Sequence, residues 1–150
     1  MNYRLAIRTA FACAAVVFAV AGCSTLQPNA NLAAFSTTMT GANEVPPVMT
    51  NATGEVDAVL NKDTLLLRWK MSFRDLSGPA TAAHFHGPAQ IGANARVVLP
   101  FKAPITSPLE GRATLTREQA ADLLAGKWYA NVHSAAHPGG EIRGQMILRQ

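Results

Sequence analysis

Between Thr64 and Phe73 apolar and polar positions alternate, with Leu65, Leu67, Trp69, Met71 and Phe73 on one side and Arg68, Lys70 and Ser72 on the other. Successive side chains of a strand point to opposite faces, so this period of two predicts a strand with one buried side. Asn61-Lys62-Asp63 supplies tight-turn chemistry just before it, which makes Val56, Ala58 and Leu60 the inward set of a hairpin partner. Asp75 to Pro79 closes the strand with a second turn. From Leu32 onward short strand-like runs alternate with turn signals, and further strands are predicted at residues 81–86, 96–101, 111–115, 128–133 and 141–148. The expected fold is all-β, a Greek-key-type β-sandwich of about seven to eight antiparallel strands. One segment breaks the period. Thr116-Arg117-Glu118-Gln119 reads as a capping box, Ala120, Leu123 and Leu124 form an apolar face, and Gly126 stands where a helix stops. A short helix at about residues 117–125 follows from this, with a lid over one end of the sandwich as its plainest role.

The amino-terminal segment has a different pattern. Arg4 and Arg8 precede an unbroken apolar run from Ala10 to Ala21, with no acid before it. A basic start followed by a short apolar core is the pattern of a bacterial export signal, and the run falls short of the roughly 20 residues that span a bilayer. It ends in Val20-Ala21-Gly22-Cys23, which resembles the lipobox of bacterial lipoproteins. That resemblance implies a signal peptide over residues 1–22, cleavage before Cys23, and lipid on Cys23. An ordinary export signal with an incidental cysteine, or an N-terminal anchor, is the alternative. Residues 24–31 are small and polar around Pro28, so residues 23–33 read as a lipidated tether to a domain over 34–150. Ser24 follows the cysteine where an Asp would favour inner-membrane retention in lipoproteins of enterobacterial type. The expected location is therefore the bacterial cell envelope, at the outer membrane facing the periplasm, with lipid on Cys23 as the membrane partner.

Composition narrows the classes further. The chain has 150 residues, 49% of them apolar and 15% charged, which suits one domain and excludes long disordered or coiled-coil readings. The formal charge of +4 and pI near 9.5 are misleading, since Arg4 and Arg8 belong to the signal. Without them neither a nucleic-acid surface nor a polybasic membrane patch is implied. The only cysteines are Cys13 and Cys23, so the mature domain has no disulfide and no free thiol. A domain of this size buries about two-thirds of its unfolded surface and needs no metal to fold.

The four histidines lie in two short segments, His84-Phe85-His86 and His133-Ser134-Ala135-Ala136-His137. Residues i and i+2 of a strand share a face about 6.6–7 Å apart, so His84 and His86 can converge while Phe85 turns into the core. Trp128, Ala130 and Val132 share one face of the next segment, leaving Tyr129, Asn131 and His133 on the polar one. His137, in a Pro/Gly-rich loop, is a candidate fourth ligand. Three or four imidazoles without a thiolate suit Cu(II) or Zn(II), with copper favoured by intrinsic affinity. The bland alternative is that these histidines only hydrogen-bond backbone or carboxylates. No nucleophile elbow, phosphate-cradling loop or CxxC motif is present. Asn43-Glu44-Val45-Pro46-Pro47 joins a polar turn to a rigid extended pair, which points to loop structuring for Glu44 with a supporting acid as the second option.

Gly41-Ala42-Asn43-Glu44-Val45-Pro46-Pro47, Ala83-His84-Phe85-His86-Gly87-Pro88-Ala89, Leu115-Thr116 with Gln119, and Asn131-Val132-His133 through Pro138-Gly139-Gly140-Glu141-Ile142-Arg143-Gly144-Gln145 together resemble the CHRD (chordin-like) domain of exported proteins. The resemblance runs from about Phe35 to Leu148. A looser one is to the Cu,Zn superoxide dismutases, Greek-key β-sandwich enzymes. It implies copper on His84, His86 and His133, with His137 the only substitute for the bridging ligand and Arg143 near the position of an anion-guiding arginine. The zinc loop and disulfide of those enzymes have no counterpart here. Three functions follow as expectations. The first is copper binding or handling by an envelope protein, with zinc the alternative metal. The second is a metal-free interaction or adhesion module, and the third a copper-only, dismutase-like enzyme in which Arg143 is catalytic.

Overall fold

The protein is described by a computed structural model over residues 30–149. The expected signal peptide, Cys23 and most of the expected tether lie outside the described residues. The elements are β1 (Leu32–Thr40), a 3-10 turn (Gly41–Asn43), β2 (Thr53–Asn61), β3 (Leu66–Arg74), β4 (Ala80–His86), β5 (Val97–Pro100), β6 (Leu109–Thr114), α1 (Arg117–Leu124), β7 (Tyr129–Ser134), β8 (Ile142–Gln145) and β9 (Ile147–Leu148). β1 thus begins within the last residues assigned to the tether.

The hairpin β2–β3 forms because Asn61 turns the chain: its Oδ1 accepts from the N–H groups of Asp63 and Thr64 at 3.0 and 2.9 Å. Val56 then pairs with Met71 and Ala58 with Trp69, all buried on one face, while Asp57, Lys70 and Arg68 face out. The capping box of α1 is complete. Thr116 Oγ1 accepts from Gln119 N–H at 3.1 Å, and Gln119 Oε1 accepts from Thr116 N–H at 2.9 Å. Ala120 and Leu123 bury against the core, but Leu124, expected on the same face, is 37% exposed.

The nine strands form one antiparallel sheet in the order β5-β4-β7-β8-β1-β2-β3-β6, with β9 paired to β1. All-β architecture with one short helix is what the periodicity predicts. The two layers are made by a single sheet curling on itself as a half-barrel. Trp69 of β3, one strand in from the β6 edge, meets Phe85 of β4, one strand in from the β5 edge, with ring centroids 5.5 Å apart. Phe101, just past β5, stacks on Trp69 at 5.0 Å and bridges the open seam with side chains. Pro100 ends β5 and Pro108 precedes β6, and proline keeps sheet edges from pairing further. The expected strand at 141–148 is split, which raises the strand count to nine. Met146 turns fully into the core and its N–H bonds the Trp128 carbonyl at 2.8 Å. The chain beyond it pairs with β1 instead, Leu148 against Phe35 and Ile147 against Ser36.

Phe35, Met39, Leu60, Leu67, Met71, Phe85, Trp128 and Ile142 fill the interior of the curl. The outer face of β4, β7 and β8 is different. It carries His84, His86, Tyr129, Asn131, His133, Arg143 and Gln145, several of them buried although they point away from the core. Two loop segments, residues 41–50 and 87–96, cover this face. They are tied together where Asn94 Nδ2 donates to the Val45 carbonyl at 3.0 Å.

Candidate metal centre

β4 and β7 run antiparallel with His84 opposite Asn131, His86 opposite Tyr129 and Ala82 opposite His133. This register puts His133 diagonally beside His84, and the strand period keeps His86 on the same face. One ring nitrogen from each of His84, His86 and His133 lies within 4.8 Å of the others, and among the described residues this is the one group of three or more with a metal-ligating arrangement. Phe85 between the pair is fully buried in the core, as the alternation requires.

The hydrogen bonds fix which nitrogens are free. His86 Nδ1 lies 2.9 Å from the Ala95 carbonyl and His133 Nδ1 lies 2.9 Å from the Pro138 carbonyl. A carbonyl only accepts, so both Nδ1 atoms carry the proton and, in the neutral rings, both Nε2 atoms keep a lone pair. His84 Nδ1 and His133 Nε2 are 3.1 Å apart, so His84 donates there until it changes tautomer. Ligand histidines are held in this way by a carbonyl on the far ring nitrogen. Burial first, then the charges of His133 and His86, hold His84 down at about 4, against 6.5 for a free imidazole, although an Asn131 bond opposes the shift. Burial also lowers His86, against bonds from Ala95 and Asn131 that favour its charged form. Both rings are therefore neutral at neutral pH, which is the form a metal takes.

The donor set fits a divalent transition metal. A metal about 2.0–2.1 Å from each nitrogen holds them no more than about 4.2 Å apart. The three nitrogens, within 4.8 Å of one another, come near that spacing.

His137 does not join this group. Its N–H bonds Ser134 through both the carbonyl and Oγ, its carbonyl accepts from Gly140 N–H at 3.1 Å, and its ring borders a separate hollow with Glu44, Val45 and Pro138. The turn that places His133 Nδ1 on Pro138 carries His137 away from the other rings. Arg143 is 2% exposed. Its guanidinium lies 3.4 Å over the Tyr129 ring and bonds Asn94 Oδ1 at 2.9 Å and the Ala93 carbonyl. Tyr129 in turn stacks on His86, centroids 4.7 Å apart and planes within 4°. The arginine thus braces the ring that braces His86, a cation–π contact made in a dry place.

Three further residues pack around the imidazoles: Tyr129, Asn131 and Glu44. Tyr129 and Asn131 share the His133 face by simple alternation, which was the available signal. Glu44 is 6% exposed and packs beside Arg143, Asn131 and Gly140. Burial raises its carboxyl above the ordinary range, against the pull of Arg143 and bonds from Val45 and Asn131. Gly140, at φ +125°, has no room for a Cβ because Glu44 occupies that space.

The CHRD domain profile matches residues 35–146, which spans every strand from within β1 to the end of β8. The chain belongs to the CHRD family. The imidazole cluster, Glu44 and Arg143 of this CHRD domain all fall inside the matched region. No curated protein and no solved structure gives a significant match to the chain.

Proposed function

We propose that this CHRD protein binds a divalent transition metal, copper above all, at His84, His86 and His133, and that it works as a copper-holding protein of the bacterial cell envelope. The observation that carries the reading is the convergence of three imidazoles from β4 and β7, two of them anchored through Nδ1 by backbone carbonyls. Imidazole donors without thiolate favour Cu(II) by intrinsic affinity and accept Zn(II) next. The Val20-Ala21-Gly22-Cys23 pattern supports attachment through a lipidated Cys23, and Ser24 supports the outer membrane. Replacement of Cys23 by Ser is expected to abolish incorporation of labelled fatty acid and release the protein from the membrane fraction.

The test of the metal reading uses the full-length chain in detergent, loaded with Cu(II) or Zn(II) and desalted against a weak chelator. One retained metal per chain is expected, and none in His84→Ala or His133→Ala. Retention by the variants equal to wild type, or none anywhere, would sink the reading in favour of a metal-free interaction module.

A dismutase-like role ranks below metal holding because Arg143 is buried under two loops and engaged with Tyr129, Asn94 and Ala93. Anion steering needs a charge that faces solvent or a channel. Copper-loaded protein is expected to consume superoxide no faster than the copper it releases.

A further inference from the structure

Asn131 sits in the middle of the three imidazoles. It pairs with His84 across the β4–β7 ladder and lies two residues before His133 on the same face. Its Oδ1 is 3.0 Å from His86 Nε2, and the residue is 3% exposed. Its amide nitrogen is directed elsewhere. A Cβ at position 140 would lie 3.1 Å from Asn131 Nδ2 and 2.6 Å from Glu44 Oε1, so amide nitrogen and carboxylate gather against the bare Gly140 backbone. The Glu44 carboxyl lies on the amide-nitrogen side of Asn131, and the amide oxygen is on the histidine side.

Counting protons then gives a definite answer. A histidine that ligates a metal is neutral and keeps one N–H. In His86 the Ala95 carbonyl claims it, at Nδ1. His86 Nε2 and Asn131 Oδ1 are left facing each other as two acceptors 3.0 Å apart. Two lone pairs at that distance repel unless a proton, as in the charged ring, or a metal ion lies between them. Two atoms bound at right angles to one metal, each at about 2.1 Å, are themselves about 3 Å apart.

We propose that Asn131 Oδ1 is the fourth ligand, completing a three-nitrogen, one-oxygen set with His84, His86 and His133. The proposal rests on the metal-binding reading above and goes beyond it in naming the donor that His137 does not supply. An amide oxygen is a hard, neutral donor, so it favours Cu(II) or Zn(II) and offers little to Cu(I), which selects thiolate and thioether.

The experiment compares wild type, Asn131→Ala and the near-isosteric Asn131→Asp as full-length chains in detergent, loaded with Cu(II). Affinity is read by chelator competition and the donor set by the Cu(II) electron paramagnetic resonance spectrum. Asn131→Ala is expected to weaken Cu(II) binding by at least about tenfold and to shift the spectrum. Asn131→Asp is expected to restore or exceed wild-type affinity with a spectrum changed by the anionic oxygen. A spectrum unchanged in both variants overturns the assignment whatever the affinities, because the amide then only orients His86. Should Asn131→Ala fail to fold by circular dichroism, the Asp variant decides by the same spectral criterion. A wild type that retains no Cu(II) overturns the metal reading itself, and the ligand assignment with it.

Discussion

Two carboxylates of this domain are buried, and their surroundings push them in opposite directions. Glu44 is raised by burial, whereas Glu141, with no exposed surface, is held down to about 2. Burial alone would raise Glu141 too, but hydroxyl groups of Ser134, Thr50 and Ser77 and the Ser77 N–H overcome it. Thr50 Oγ1 donates at 2.7 Å, and Ser77 N–H and Oγ–H each donate at 2.8 Å, all to Oε1. A carboxyl whose folded pKa lies below its unfolded one stabilises the fold above about pH 4.5, and that contribution fades as pH falls towards 2. The gap is worth about 3 kcal/mol. Glu141→Gln is therefore expected to lower stability in urea melts at pH 7 by roughly 1–3 kcal/mol and to flatten its loss below pH 4.5. His84 gives a second prediction of opposite chemistry. Its folded pKa lies below the unfolded value, so the metal-free protein loses stability as pH falls from about 6.5 to about 4, where only the unfolded chain gains the proton. A melt series over that range should show the decline, and His84→Ala should remove part of it. The histidines were legible as residues, since the strand period alone puts His84, His86 and His133 on a polar face. Glu141 was not, because a caged carboxylate looks like any other until Thr50 and Ser77 arrive from distant parts of the chain.

At the scale of elements, strands and helix followed local chemistry closely. The Asn61 turn, the Thr116–Gln119 box and the alternation of β2 and β3 are all interactions over a few residues, and they appear where the pattern placed them. Thr116→Ala removes the hydroxyl that accepts from Gln119 N–H and is expected to cost about 1 kcal/mol, read as a lowered thermal midpoint. What failed was continuity. The segment 141–148 reads as one alternating strand, yet Met146 breaks it by docking into the core while its N–H pairs with Trp128. No local period reports that a strand will exchange β7 for β1 as its partner. The reach assumed for His137 failed for a related reason: the turn bonds between Ser134, His137 and Gly140 set its direction.

At the scale of the whole molecule the deciding feature is the curl of the sheet. It brings Trp69, Phe85 and Phe101 from strands near opposite edges into one aromatic cluster, and Gly111 of β6 permits it, because a Cβ there would overlap the Trp69 ring. Gly111→Ala is expected to destabilise by about 1–3 kcal/mol, and Trp69→Ala by about 3–5 kcal/mol, both measured by chemical denaturation. Retention of a loaded metal should fall with global unfolding and not before it, since of the aromatic cluster only Phe85 shares a strand with the histidines, and it lies on the opposite face of β4. By itself the sequence determined the class of the domain, its hairpin, its helix, the face on which three histidines stand and the family motifs. These depend on turn chemistry and on periods of two and 3.6, which act over neighbours. Only the tertiary structure decided that the layers are one curled sheet, that Arg143 is a brace beneath a loop, and that Asn131 rather than His137 faces the imidazoles. Those outcomes depend on strand order, register and the folding of the 41–50 and 87–96 loops over β4, β7 and β8, which join groups far apart in the chain.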